Sequence, residues 1–351
     1  MGGRREQRAV TLGDVAAEAG VSLQTVSNAI NAPHRLAPAT LARTLAAIEA
    51  LGYKPNRAAR SLRNQRSRLI GVKVEPARAD HADLLHDQFL HALSVSAAER
   101  GYHLILCSAA DEREELAVYD ELLRTTAVEA FVLAATHRDD PRNAWLRERG
   151  VVFATFGRSW DGDDETIWVD VDGHAGTEAV VEHLVALGHR RIGYLGWGED
   201  SDVGRDRRRG WLDACRAHGL PTRGLEAQSD DDFALGQAAA GRLLDRSPHP
   251  TAVVCSSDTL ALACVRALAA RGLSAGADVS VSGFDDSPSS ALTTPGLTTV
   301  RQPLHEVARA LVAHVDTALT GQQAGPRHTL LSPALVPRES TVAPPPTTKE
   351  S

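Results

Sequence analysis

The sequence predicts a small all-α helix-turn-helix head followed by an α/β body of two doubly wound lobes. Three observations carry that prediction. Residues 10–54 hold two short apolar stripes of helical spacing that meet at a glycine, and then a third stripe. Residues 69–341 alternate short apolar runs with amphipathic stretches, the mark of parallel sheets with crossover helices. A chain of 351 residues is long enough for several cores.

In the head, Thr11 with Asp14 three positions later forms a capping-box pattern, and Leu12, Val15, Ala16 and Ala19 follow at helical spacing. Gly20 permits a positive φ that turns the chain, and Ser22 is placed to cap a second helix. On that helix Gln24, Ser27, Asn28 and Asn31 share an arc of about 100°, with Val26, Ala29 and Ile30 opposite. A face of amides and hydroxyls suits base edges, since Gln and Asn pair bidentately with adenine. The competing reading is an ordinary helical hairpin with a solvated polar face. Pro38, then Leu41, Leu45, Ile48 and Leu51, then Gly52, predict a third helix whose leucine stripe closes the core.

Residues 56–63 follow Pro55 and set Arg57, Arg60 and Arg63 on one stripe, with Leu62 near the end. A helix of about eight residues is marginal in water, so this one is expected to order against DNA or a partner, with Leu62 as an apolar wedge. Residues 1–70 hold eleven Lys and Arg against four Asp and Glu, a balance of +7 that leaves −14 on the remainder of a chain whose net charge is −7. A basic head and an acidic body fit attraction to a polyanion at one end only.

Behind the hinge, apolar runs at 69–74, 103–107, 130–135, 151–155, 191–196, 251–255 and 279–284 are candidate strands, and 82–100, 173–187, 206–218 and 258–271 are candidate crossover helices. These strands are too many for one small sheet. Two lobes with a ligand crevice beyond the strand ends are the simplest arrangement.

Several function classes fall away. The glycine-rich run G-Y-L-G-W-G lacks the spacing of dinucleotide loops, and neither a phosphate-binding G-x-x-x-x-G-K nor a G-x-S-x-G nucleophile motif occurs. The 14 histidines form no zinc pattern, and D-V-D-G at 170–173 reads as a strand end and helix cap. No catalytic residue, metal or cofactor is expected. The four cysteines, Cys107, Cys215, Cys255 and Cys264, make no C-x-x-C pair and are expected to be reduced and buried. No apolar stretch reaches about 18 residues and no export signal is read at the start, so the expected location is the cytoplasm, with no membrane partner.

The runs V-T-L-G-D-V-A-A-E-A-G-V-S-L-Q-T-V-S-N-A-I-N (10–31), L-G-Y-K-P-N-R-A-A-R-S-L (51–62) and S-R-L-I-G-V (67–72) resemble the lactose-repressor (LacI/GalR) family. The body carries the resemblance onward through G-H-R-R-I-G (188–193), R-R-R-G-W (207–211), S-S-D-T-L-A (256–261), G-F-D-D (283–286) and L-V-P-R-E-S-T (335–341). The resemblance implies a periplasmic-binding-protein-like body whose cleft takes a small-molecule effector, a sugar in the leading reading. It also implies a transcriptional repressor that binds a pseudo-palindromic double-stranded DNA operator as a homodimer. It implies a head at 10–54, a hinge helix and linker at 55–68 and an effector-binding and dimerisation domain at 69–341. Lobe one is expected at about 69–168 and 302–331, and lobe two at about 169–300 and 332–341. Residues 342–351, rich in proline and threonine, form an expected disordered tail without leucine heptads.

By position, Leu23, Gln24 and Asn28 match the family's base readers, and Leu62 matches its minor-groove leucine. The expected DNA-binding set is Thr11, Ser22, Leu23, Gln24, Thr25, Ser27, Asn28, Asn31, Arg35, Asn56, Arg57, Arg60 and Leu62. The expected effector contacts are Arg207 and Asp285, with Ser257, Arg158 and Phe233. An arginine fork and a carboxylate can between them donate to and accept from vicinal hydroxyls, although a plain salt bridge across the cleft would leave the same signature. The chain departs from the family in places. Asn28 stands where arginine is frequent, which favours adenine over guanine, and Leu23 lies between the two faces, a position for packing rather than reading. Ala37 replaces a capping serine, and Leu85-His86 replaces N-P-F-F in the first cleft loop. An incidental head on a solute-binding or enzymatic α/β protein is the alternative of a different class.

Overall fold

The computed structural model describes residues 10–53, 66–74, 84–322 and 325–345, and the chain divides into two units, Met1–Ser67 and Arg68–Ser351. The expected hinge residues Asn56, Arg57, Arg60 and Leu62, and the tail beyond residue 345, lie outside the described residues.

The head unit contains α1 (Leu12–Ala19), α2 (Leu23–Asn31), a 3-10 turn (Pro33–Arg35) and α3 (Pro38–Ala50). The capping box forms as the pattern predicts: Asp14 N donates to Thr11 Oγ1 at 3.3 Å, and Thr11 N donates to Asp14 Oδ2 at 2.7 Å. Gly20 takes φ 60°, ψ 43°, a left-handed conformation that costs glycine little and turns the chain into α2. Ser22 Oγ then accepts from Thr25 N at 3.1 Å, capping that helix. Val15, Ala19, Val26, Ala47 and Tyr53 form the core.

The leucine stripe expected on α3 needs correction. Leu45 is 46% exposed, whereas Thr44 is fully buried. Burial of Thr44 is tolerated because its hydroxyl donates to Thr40 O at 2.8 Å, leaving no unpaired polar group. The inward stripe therefore runs through Thr44, Ala47, Ile48 and Leu51, and Leu45 lies off it. The start of α3 has no side-chain cap at Ala37.

In the body, six parallel strands form one sheet: β1 (Leu69–Val74), β2 (His103–Ser108), β3 (Ala130–Leu133), β4 (Val152–Phe156), β5 (Trp168–Val171) and β11 (His328–Leu331), in the order β11-β5-β4-β3-β1-β2. Its side chains alternate between two cores. Ile70, Val72, Val132 and Val169 pack with α4 (Leu84–Glu99) and α11 (Leu304–Thr320), while Phe131, Leu133 and Phe153 pack with α5 (Glu112–Thr125) and α6 (Pro141–Glu148). Burial on both faces is what a parallel sheet with crossover helices requires.

A second parallel sheet contains β6 (Ile192–Gly196), β7 (Glu226–Gln228), β8 (Ala252–Cys255) and β9 (Ser280–Ser282), in the order β7-β6-β8-β9. Helices α7 (Gly173–Ala186) and α8 (Asp202–Ala217) cover one face, and α9 (Phe233–Leu244) and α10 (Asp258–Ala269) cover the other. A short antiparallel pair, β10 (Thr299–Arg301) with β12 (Ala334–Val336), runs beside this lobe. All seven apolar runs read as strands contain one. The expected lobe boundary at 168/169 falls inside β5. Val169 and Val171 pack in the first lobe's core, and the chain leaves at Asp172, whose side chain caps α7 by accepting from Ala175 N at 2.9 Å. Trp168–Val171 is thus a lobe-one strand.

The four cysteines are buried and unpaired. Among the described residues, no helix is long and apolar enough to cross a membrane.

Candidate ligand cleft and DNA-reading face

The loops beyond the carboxyl ends of β3, β4, β5, β6, β8 and β9 enclose a cavity of about 460 Å³ between the two lobes. That is where ligands sit in doubly wound folds, and the volume falls within the range of small-molecule sites. Phe89, Phe156, Trp160 and Leu85 line it from lobe one, and Trp197 and Leu262 from lobe two.

Arg207, on α8, is 5% exposed and lies flat over the Phe284 ring at 3.7 Å. Its Nη1 donates to Ser256 O at 2.5 Å and sits 3.7 Å from Asp285 Oδ1, while its Nε is buried without a partner. Asp285 has φ 116°, a strained value for a residue other than glycine, and its Oδ1 accepts from Gln302 Nε2 at 2.7 Å. Burial, and behind it the nearby Asp258 and Asp231 carboxylates, pushes Asp285 well above the ordinary carboxylate range against the pull of Arg207. Asp258 is likewise raised by burial, although it accepts from Ser287 N, Ser290 Oγ and Thr299 Oγ1.

Arg158 follows Gly157, whose φ of 114° turns the chain sharply at the end of β4. A Cβ on Gly157 would stand 2.3 Å from Thr136 Oγ1, so no other residue fits without displacement. Arg158 Nε donates to Asp170 Oδ2 at 2.6 Å, and its Nη2 reaches Asp206 Oδ2 at 3.4 Å across the cleft. Burial pulls its pKa down, but Asp170 and Asp206 more than offset this and hold it raised. A second tie between the lobes joins Arg138 N to Asp202 Oδ2 at 3.0 Å.

Arg158, Arg207 and Asp285 thus meet in one cavity, but Ser257 and Phe233 are not in its lining. Ser257 caps α10, accepting from Leu260 N at 3.1 Å, and its hydroxyl donates to Asp231, which does line the cavity. Phe233 opens α9 and is 40% exposed. Sequence reasoning overlooked Trp160, Trp197, Asp206 and Asp231. Trp160 follows Arg158 by two positions and Trp197 directly follows β6, so an aromatic just past a strand end was the available signal. The Leu85-His86 departure does fall in the lining. Glu112, His137 and Asp140 bring potential ligand atoms within 4.8 Å of one another, but His137 bonds Glu112 and Asp140 holds Arg142 at 2.6 Å, so the trio is satisfied internally.

In the head, α2 presents Leu23 and Gln24 outward while Val26 and Ala29 are buried. Leu23, 55% exposed, does not pack, contrary to the expectation from its angular position. As the first residue of α2 it precedes the turns that contact α1 and α3, so nothing covers it within the described head. Gln24 Nε2 donates to Asn28 Oδ1 at 3.1 Å, which orients the two amides together on the surface. The Thr11 and Ser22 hydroxyls serve as caps, Ser22 Oγ also pairs with Thr25 Oγ1, Ser27 is half-buried and Arg35 is exposed. Residues 10–53 carry only Arg35 and Arg43 against Asp14, Glu18 and Glu49, so the positive charge of the N-terminal region resides in its flanks, six cations of it at 54–68.

Comparison with known proteins bears on both regions. Residues 11–56 match the family described as bacterial regulatory proteins, lacI family, and residues 181–341 match the periplasmic binding protein-like domain. The HTH-type transcriptional regulator CelR of Thermobifida fusca is 34% identical over 339 residues, spanning 95% of this chain and 99% of the relative. The lac repressor dimer bound to operator and the anti-inducer ONPF superposes with a TM-score of 0.81 at 30% identity, covering 96% of this chain and 100% of that one. A CelR–cellobiose complex gives 0.72 at 31% identity, with 94% and 99% covered. The capped helical pair in the head, the two-lobed body behind it and this near-complete overlap place the chain in the lacI family of bacterial regulatory proteins.

Proposed function

We propose that the protein is a homodimeric, cytoplasmic repressor of a carbohydrate-utilisation operon, with no catalytic role. Its two heads bind half-sites of a pseudo-palindromic operator, and a sugar held between the lobes releases it from that operator or tunes it there. One observation carries the effector assignment: three buried donors on the cavity wall, Trp160 Nε1, Trp197 Nε1 and Arg207 Nε, have no partner. Unpaired buried donors are costly, and a sugar hydroxyl can accept from them while donating to the surrounding carboxylates. The cellobiose complex of the relative supports the same class of ligand.

Arg207 and Asp285 are the principal polar contacts in this reading. Arg158 links ligand to lobe closure through Asp206, Ser257 acts indirectly by holding Asp231, and Phe233 has no direct part. Leu23, Gln24 and Asn28 read bases, and the arginines of 54–68 supply most of the phosphate contacts, with Leu62 as the minor-groove wedge. Mobility-shift titration of the full chain against its own upstream DNA, with and without sugars, tests the proposal. A salt-sensitive specific complex that one sugar shifts is expected; absence of any specific complex would sink it.

A further inference from the structure

We infer that the cleft selects an uncharged saccharide of one or two rings and rejects its phosphorylated form, with its surplus of aspartates, Asp231 among them, as the rejecting groups. The inference rests on the sugar-effector reading above and adds the charge class and size of the ligand.

Seven aspartates line the cavity against two arginines, and both arginines already face carboxylates. Arg158 is held by Asp170 and Asp206, and Arg207 donates to Ser256 O beside Asp285. Asp202 is matched outside the cavity by Arg205 and Arg138. Asp200, Asp231, Asp258 and Asp285 then remain, with Arg207, 3.7 Å from Asp285, as the one cavity-lining cation beside them. Burial, and behind it the Asp258 and Asp231 carboxylates, already disfavours a negative charge on Asp285, and an anionic ligand would meet the same penalty.

The helix poles point the same way. A helix N-terminus is the usual anion site of such folds, and α8 and α10 both begin at the cleft. Each carries its own carboxylate at the first position, Asp202 on α8 and Asp258 on α10, and each is capped by a serine, Ser201 and Ser257. The positive poles that would attract a phosphate are therefore already answered by the chain itself.

What remains unanswered is different in kind. The orphan donors Trp160 Nε1, Trp197 Nε1 and Arg207 Nε sit on three separate segments drawn from both lobes. Phosphate favours several convergent, charge-assisted donors on one group, whereas ring and hydroxyl oxygens spread around a saccharide match dispersed single donors. A cavity of about 460 Å³ lies in the lower half of the small-molecule range, which suits one or two rings rather than a longer oligosaccharide.

The test uses the full chain, its intrinsic tryptophan fluorescence and its thermal transition. Probes are glucose, galactose, maltose, cellobiose, sucrose and trehalose, with glucose 6-phosphate and glucuronate as negatively charged counterparts. At least one uncharged sugar should perturb both signals, and the charged analogues should bind at least 100-fold more weakly. Asp231→Asn should narrow the gap between glucose 6-phosphate and the best uncharged sugar tenfold or more, and sugar-free operator binding reports that this variant is folded. Preferential binding of glucose 6-phosphate or glucuronate, or a gap unchanged in folded Asp231→Asn, overturns the inference while leaving a sugar-responsive repressor in place. No response to any sugar, with operator binding intact, removes the sugar-effector reading and this inference together.

Discussion

The proposed reading face of the head occupies a single nine-residue helix, α2, on which exposed Gln24 and half-buried Asn28 are one turn apart in sequence and bonded to each other. The cleft draws Arg158, Trp197, Arg207, Asp231, Asp258 and Asp285 from separate loops and helices spread over more than a hundred residues, with Arg207 and Asp258 buried and the others half-buried. The first site is exposed, locally specified and nearly independent of the rest of its domain's packing. The second exists only when two sheets and their crossovers are complete. Substitution at the head should therefore alter recognition without altering stability, and substitution in the cleft should alter both.

Arg207→Ala breaks that contrast most strongly. It removes a buried guanidinium from Phe284 and leaves Asp285 beside Asp231 and Asp258 with no counter-charge, and losing one member of a buried pair costs about 3 kcal/mol or more. Denaturant unfolding should show that loss, and operator binding should no longer respond to the effector; an unchanged midpoint would mean the cleft is far looser than its contacts indicate.

Gln24→Ala is the counterpart in the head. It should lower discrimination at one base pair by about 1–3 kcal/mol, measured by mobility shift against single-base operator variants. The melting temperature should stay fixed, because the side chain is exposed, and a large drop in melting would show that α2 is not a free reading face.

Ala37→Ser sharpens the comparison from the stabilising side. The first turn of α3 has no side-chain cap, so a serine there should add about 1 kcal/mol to the head's unfolding free energy in calorimetry, with operator preference unchanged. Leu45→Ala is the smallest effect. An exposed leucine should cost under about 0.5 kcal/mol, whereas a core leucine would cost about 2–5 kcal/mol; a loss in the larger range would reveal that Leu45 is covered in the assembled protein.

Legibility in the sequence followed the same division. Caps, turns and strand runs are local, so Thr11, Ser22, Gly20 and Pro38 marked their helices correctly, and each of the seven apolar runs holds a strand. Leu45 and Leu23 were misplaced because hydrophobic spacing gives a face but not the neighbour opposite it: Thr44 took the inward position by bonding its own helix, and Leu23 sits beyond the packed turns. Short β5 was read only as a strand end at 170–173, because four residues are too few to show a period, and its pairing with β4 and β11 reveals the rest.

The sequence by itself determined the two-part architecture, the polar face of α2 and the basic stretch at 54–68, since each is written in composition, spacing or a compact motif, while Arg207 and Asp285 came only from the resemblance to the family. Only the tertiary structure decided that Trp160 and Trp197 share a cavity wall with those charges, that Ser257 supports Asp231 from behind, and that Phe233 stands apart. The physical reason is distance along the chain. A helix brings residues three and four apart together by its own geometry, but parallel crossovers join strand ends that lie tens of residues apart, and which of their side chains meet is settled by packing alone.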